Sequence, residues 1–175
     1  FKVAAVNHLN QTTAMIVVAT VNMDLFDFVI TSTPELLLQR QDHQGQNIFH
    51  LICQQPLSRD TYKKLTIVLK KVQQGVDALD TYGNTPLYYL VSQRPDSTEA
   101  AKVAADMGFL LLQAGASSLQ VIRDVTTGIE RSVLLQAAFC QSTYFVLLCL
   151  RYLSDRQESL KVLLEQIDLL KSALI

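Results

Sequence analysis

Little in this chain points to chemistry of its own. Its 175 residues are 49% hydrophobic with a formal net charge of −1. With no basic stripe, the electrostatic footprint of a nucleic-acid binder is missing. Four prolines and six glycines, without a polar run, leave no segment whose composition calls for disorder. The three cysteines, Cys53, Cys140 and Cys149, form no C-x-x-C pair and are odd in number. That fits a reducing compartment better than a disulfide framework. All three fall in expected helices, where a small buried apolar role is the default. The apolar runs 14–21 and 144–150 are too short to span a bilayer. No secretory leader pattern is visible. The chain opens at Phe1 rather than Met, which reads as a piece of a longer protein and leaves a removed leader open.

Catalytic signatures are missing too. There is no G-x-x-x-x-G-K-[ST], no G-x-S-x-G and no H-E-x-x-H. His50 and Cys53 sit at i and i+3 and share a helix side. A Cys–His nucleophile pair, however, needs an exposed, positive setting and an orienting third group. His8 and His43 fall in expected turns and share no metal-ligand spacing with Cys or carboxylates. Asp24 and Asp27 lie on the polar side of an expected helix, and Lys63-Lys64 and Lys70-Lys71 read as a solvated helix face. The expectation is no catalytic residue, no metal and no cofactor.

What the chain does have is a segment from Asp80 to Leu90, Asp-Thr-Tyr-Gly-Asn-Thr-Pro-Leu-Tyr-Tyr-Leu. Gly83 supplies the positive φ of a tight turn. Thr85 can cap the following helix, and Pro86 suits its first position, where a missing N–H costs little. Leu87, Leu90 and Val91 then form an apolar stripe at i, i+3 and i+4. A second copy runs from Asp42 to Ile52, with Asn47 for Thr and Ile48 for Pro; Asn caps a helix as well as Thr does. A weaker copy spans Asn7 to Thr12, with Asn10 where the others have Gly; Asn tolerates the left-handed conformation. A fourth, Ser132 to Ala138, follows a longer turn over Asp124 to Gly128.

These copies follow the pattern D-x-x-G-x-T-P-L-H-x-A, and the chain resembles the ankyrin-repeat family, in which a turn feeds a helix pair that buries its apolar face only against neighbours. The cap positions Thr12, Asn47, Thr85 and Ser132 step by 35, 38 and 47 residues, against about 33 for an ideal repeat. Insertions over 54–60 and 92–97, each with a Pro, and the loop before Ser132 account for the stretch. Asp24 to Ile30, Phe109 to Ala116 and Thr143 to Leu150 resemble the family's second helices, with Gly115 as a left-handed cap and Gly75 in that place in the second unit. No W-x-x-L-G-x-x-Y pattern of tetratricopeptide units is present.

The resemblance implies an all-α ankyrin-like solenoid forming one domain over 1–175. Its repeats would cover about 4–38, 39–77, 78–117 and 118–153, with a capping helix over 154–174 started by Ser154 or Asp155 and carrying Leu160, Leu163, Leu164, Ile167 and Leu170 on one side. His50 falls on the repeat's structural His, whose ring ties turn to helix. The implied function is protein binding on the concave face. That face would be formed by turn tips His43, Gln44, Gln46, Thr81, Tyr82 and Asn84, and by first-helix positions Gln54, Gln55, Ser92, Gln93, Phe139 and Cys140. Tyr82 is the best single anchor, since aromatics often carry interface energy. The expected partner is another protein, met by a monomer in the cytoplasm, with no nucleic acid and no membrane insertion. The alternative is a targeting or regulatory arm of a larger enzyme, or a spacer between domains. Divergent repeats with long inter-helix loops are similar to the ankyrin segments of large modular proteins, including those that intracellular bacteria deliver into host cells; the setting would then be the host cytoplasm.

Overall fold

A computed structural model describes residues 5–123, 130–140 and 143–154, with Gly128 and Lys161 besides. Among these residues lie nine α-helices: α1 (Thr13–Ile16), α2 (Met23–Ser32), α3 (Glu35–Leu38), α4 (Ile48–Cys53), α5 (Arg59–Lys71), α6 (Pro86–Ser92), α7 (Thr98–Gln113), α8 (Val133–Phe139) and α9 (Thr143–Ser154). A single 3-10 turn, Val17–Ala19, extends α1.

The four first helices begin at the expected caps. Thr12, Asn47, Thr85 and Ser132 each accept from backbone N–H groups in the first turn of α1, α4, α6 and α8. Such a cap satisfies a donor that the helix leaves orphaned. Pro86 takes the first helical position of α6. The second helices have caps of their own at Asn22, Ser58 and Ser97.

Three turns repeat one hydrogen-bond scheme. Oδ1 of Asn7 accepts from the N–H groups of Leu9 and Gln11, at 3.0 and 2.9 Å. Asp42 does the same for Gln44 and Gln46, and Asp80 for Tyr82 and Asn84. Asn10, Gly45 and Gly83 hold the left-handed position at φ 63°, 72° and 78°. Asn at both special places of the first turn therefore serves as Asp and Gly do in the others.

The helices pack as two rows. The first helices stack α1 on α4, α4 on α6 and α6 on α8, and the second helices stack α2 on α5, α5 on α7 and α7 on α9. Neighbouring units therefore touch, and 103–112 and 143–150 are helical. The continuous core between the rows includes Phe26, Ile30, Phe49, Ile52, Leu65, Leu87, Leu90, Met107, Leu111, Val133 and Phe145. Gly108 lies where a Cβ would collide with the Phe145 ring, so this glycine sets how closely α9 approaches α7.

Several expectations need correcting. Lys64 is buried, and its Nζ donates to the carbonyls of Val18 and Thr20 at 2.7 and 2.6 Å. Lys71 donates to Ile30 and Thr31 at 2.8 and 2.5 Å. The lysine cluster is thus split. Lys63 and Lys70 are solvated, while Lys64 and Lys71 close the C-terminal ends of helices in the unit before. There the cation meets the negative end of the helix dipole. Gly75 has φ 86° but stands in a turn beyond α5, whose C-cap is Val72. Gly115 does follow α7 directly, and the N–H groups of Ala116 and Gly115 close onto Leu111 and Leu112 as in a Schellman end. Cys140 is the C-cap of α8 rather than a helical residue. The long interval before Ser132 contains an antiparallel pair, β1 (Val121–Arg123) with β2 (Glu130–Ser132), Val121 opposite Ser132. The turn residues 124–127 lie outside the described residues. So does the expected capping helix apart from Ser154, which ends α9, and Lys161, which is helical.

Gly45 and Gly83 share a conformation but not surroundings. A Cβ on Gly45 would lie 2.9 Å from the Thr81 nitrogen of the next unit, whereas one on Gly83 would meet nothing within 4 Å. Gly83→Ala is expected to cost about 1–2 kcal/mol, the left-handed penalty alone. Gly45→Ala is expected to cost clearly more, because two backbones must separate. Urea unfolding of both variants checks the order.

Candidate functional site

The turn tips form a row because each is hydrogen-bonded to the one before. The His43 N–H donates to the Leu9 carbonyl at 3.0 Å, and the Thr81 N–H to the Gln44 carbonyl at 2.9 Å. Thr81 adds its hydroxyl to the same Gln44 oxygen, at 3.0 Å. With their backbones fixed in this way, His43, Gln44, Thr81 and Tyr82 expose their side chains.

Behind the tips lies a polar node joining the second and third units. Tyr89, half-buried on α6, donates to Asp80 Oδ2 at 2.6 Å. Its hydroxyl also accepts from Asn84 Nδ2 and Gln46 Nε2, at 3.3 and 3.5 Å. Burial, and then the neighbouring Asp80, push the Tyr89 phenol up from its ordinary value. His50 is fully buried, and its ring meets Tyr89 edge-on at 6.1 Å between centroids. Nε2 of His50 lies 3.1 Å from the Asn84 carbonyl, which can only accept, so Nε2 carries the proton. Nδ1 faces the cap of its own helix, 3.2 Å from the Asn47 N–H and 2.8 Å from the Asn47 side-chain oxygen. The ring thus ties the cap of its own helix to the next unit's turn, the structural role expected of it.

This node takes two candidate contact residues off the surface. Gln46 is buried and Asn84 half-buried, both turned toward Tyr89. The first-helix candidates lie at the opposite end of α4, α6 and α8. At 1.5 Å per residue, helices of six or seven residues separate the two sets by roughly 10 Å. At that end Gln93 Nε2 donates to the carbonyls of Cys53 and Gln55, at 2.6 and 3.1 Å. Ser92 Oγ is reached by Gln136 Nε2 at 3.4 Å. Gln54 is exposed, Gln55 half-buried and Cys140 buried. Gln93 and Ser92 thus serve the seams between units.

Phe139 is exposed, with the Arg131 guanidinium 4.3 Å from its ring centroid, within cation–π range. Beside it opens a cleft of about 250 Å³ lined by Arg94, Pro95, Ala101, Phe139 and Cys140. Tyr89 and the two capping lysines were missed in the sequence. Tyr89 occupies a variable place in the motif, and neither lysine carries a local signal.

Two of the three thiols are held in an unreactive state. Cys53 is fully buried, and burial alone pushes its thiol up; Cys149 is pushed up to about 12 for the same reason. A reactive thiol needs the opposite shift. His8 and His43 are exposed in turns, and Asp24 and Asp27 are solvated on α2. Among the described residues there is no cluster of three or more metal-ligating side chains, and no helix long and apolar enough to cross a membrane.

No protein-family model matches the chain. No curated protein matches it by sequence. Solved structures do match its shape. One is the crystal structure of EF0377, an ankyrin repeat protein, at a TM-score of 0.64 and 15% identity, covering 85% of this chain and 68% of that one. The chain therefore has an ankyrin-repeat fold, and at this identity the likeness speaks for the fold alone.

Burial lowers the His50 pKa below 6.5, outweighing the Asn84 carbonyl and the nearby carboxylates that raise it. An unfolded chain would take up this proton near 6.5 while the folded one resists. Stability from this group is therefore full above about 6.5 and is lost as pH falls toward the lowered native value. The thermal midpoint is expected to drop between about pH 7 and about pH 5.5, with a shallower slope in His50→Asn. An unchanged slope would remove His50 from the seam.

Proposed function

We propose that this ankyrin-repeat stack holds another protein, with the row of turn tips and the exposed sides of the first helices as the contact surface. The observation that carries the reading is the hydrogen-bonded row of tips, in which backbones locked from unit to unit hold exposed side chains. A surface ordered before binding loses little conformational entropy when a partner arrives. Within it Tyr82 is the central anchor, flanked by His43, Gln44 and Thr81. Phe139, with Gln54 beside the neighbouring seam, supplies the contacts at the far end of the first helices. The Arg131 guanidinium over Phe139 holds that ring in one place, and aromatic and arginine side chains are those most enriched at binding hot spots.

In this reading residues 1–175 are one domain, with units at 4–38, 39–77, 78–117 and 118–153 and a closing helix over 154–174. The free buried thiols Cys53, Cys140 and Cys149 suit an intracellular, reducing setting. The array itself performs no chemistry; it presents a surface.

The test is capture by the immobilised chain, followed by calorimetry with the purified partner. Tyr82→Ala and Phe139→Ala are each expected to weaken binding about tenfold to a hundredfold, in the range of buried aromatic anchors, with the far-UV circular dichroism unchanged. Undiminished binding by both variants would move the contact surface elsewhere.

A further inference from the structure

The first unit resembles an interior unit more than an end one. In a stack, each unit shows its predecessor a fixed set of positions, and the helix caps number them. Six residues after the second-helix caps Asn22, Ser58 and Ser97 stand Phe28, Lys64 and Val103. Lys64 and Val103 are 6% and 7% exposed, Lys64 against Val18 and Thr20 of the unit before; Phe28 is 61% exposed. Three residues after the same caps stand Leu25, Thr61 and Ala100, at 44%, 4% and 7%. The first helices agree. Four residues after their caps, Tyr89 reaches back to Gln46 and Gln136 to Ser92, while the equivalent Ile16 is 53% exposed. A terminal unit needs a polar outer face to stay soluble, and this face carries Ile16, Leu25 and Phe28.

The turn tips supply a second, independent sign. The residue after each turn's Asp donates its N–H to the preceding tip, His43 to Leu9 and Thr81 to Gln44. In the first turn that donor is the His8 N–H, which has no partner among the described residues.

We propose that a further helix-pair unit, contributed by polypeptide ahead of Phe1, seats on this face. Its tip carbonyl accepts from the His8 N–H, and its helices cover Ile16, Leu25 and Phe28 in the register by which α4 and α5 cover the far side of the first unit. The occupant follows from continuity: the seams between units already described, carried one step further, fall on these three positions. The proposal is independent of which protein the surface binds.

Amide exchange read by mass spectrometry compares the 175-residue chain with the full product of its gene. Peptides within 6–32 are expected to exchange at least about tenfold more slowly in the full product, a protection expected for newly buried backbone. Phe28→Glu is expected to abolish most of that gain in the full product. In the 175-residue chain, where Phe28 faces water, it should leave the thermal midpoint unmoved. The proposal is overturned if the gene encodes nothing ahead of Phe1, or if the added polypeptide slows none of these amides. It is overturned equally if protection appears in the 175-residue chain as its concentration rises and Phe28→Glu removes it, which would make the face a contact between copies.

Discussion

First helices of four to seven residues cannot persist by themselves. Isolated helices shorter than about 12 residues are marginal in water, and α1, α4, α6 and α8 all fall far below that length. Each survives because its cap fixes the first turn and its apolar stripe is closed by two neighbours. Ile48, Phe49, Ile52 and Cys53, four of the six residues of α4, are buried between α1, α5 and α6. Short helices, tight turns and a continuous core are thus one constraint seen at three scales.

Burial alone would let such short elements slide, so polar ties set the register. His50 spans from its own cap to Asn84 of the next turn. In the first unit Met15 stands in the equivalent place, and its sulfur accepts from the Thr12 N–H at 3.4 Å, a weaker version of the same closure. Lys64 and Lys71 reach back from α5 to the carbonyl ends of the preceding unit. A buried ammonium is costly unless its donors are satisfied. Burial lowers the Lys64 pKa, while the two carbonyls and the Phe26 ring 5.7 Å away give the charge partners. A slipped register would strand that charge, so it favours one alignment over its neighbours.

What was legible in the sequence was whatever a turn or a cap requires locally. Thr12, Asn47, Thr85 and Ser132 could be named because a capping hydroxyl or amide must stand just before an apolar stripe. Asn10 could be placed in a left-handed turn because few residues tolerate that conformation. What stayed hidden depends on residues about 40 positions away. Lys64 looks like any surface lysine until the end of the preceding helix is brought beneath it. Gln46 and Gln93 look like solvent-facing turn residues until the Tyr89 hydroxyl or the Cys53 carbonyl takes their hydrogen bonds. The site was therefore less legible than the fold, since the repeat pattern locates a tip but not which of its side chains the neighbouring unit consumes.

That consumption decides which side chains the stack leaves exposed for the proposed contact. Polar side chains at the seams are already satisfied within the stack, and withdrawing Gln93 or Gln46 to bind something else would cost the hydrogen bonds that align the units. Side chains without such duties are free to contribute. Tyr82 extends from a turn whose backbone is held by Asp80, and Phe139 lies under Arg131 beside an open cleft. Rigidity and availability therefore fall on different residues of the same motif. The members with internal partners keep the tips in place, and the aromatic members left over can lose water to a partner without loosening the stack.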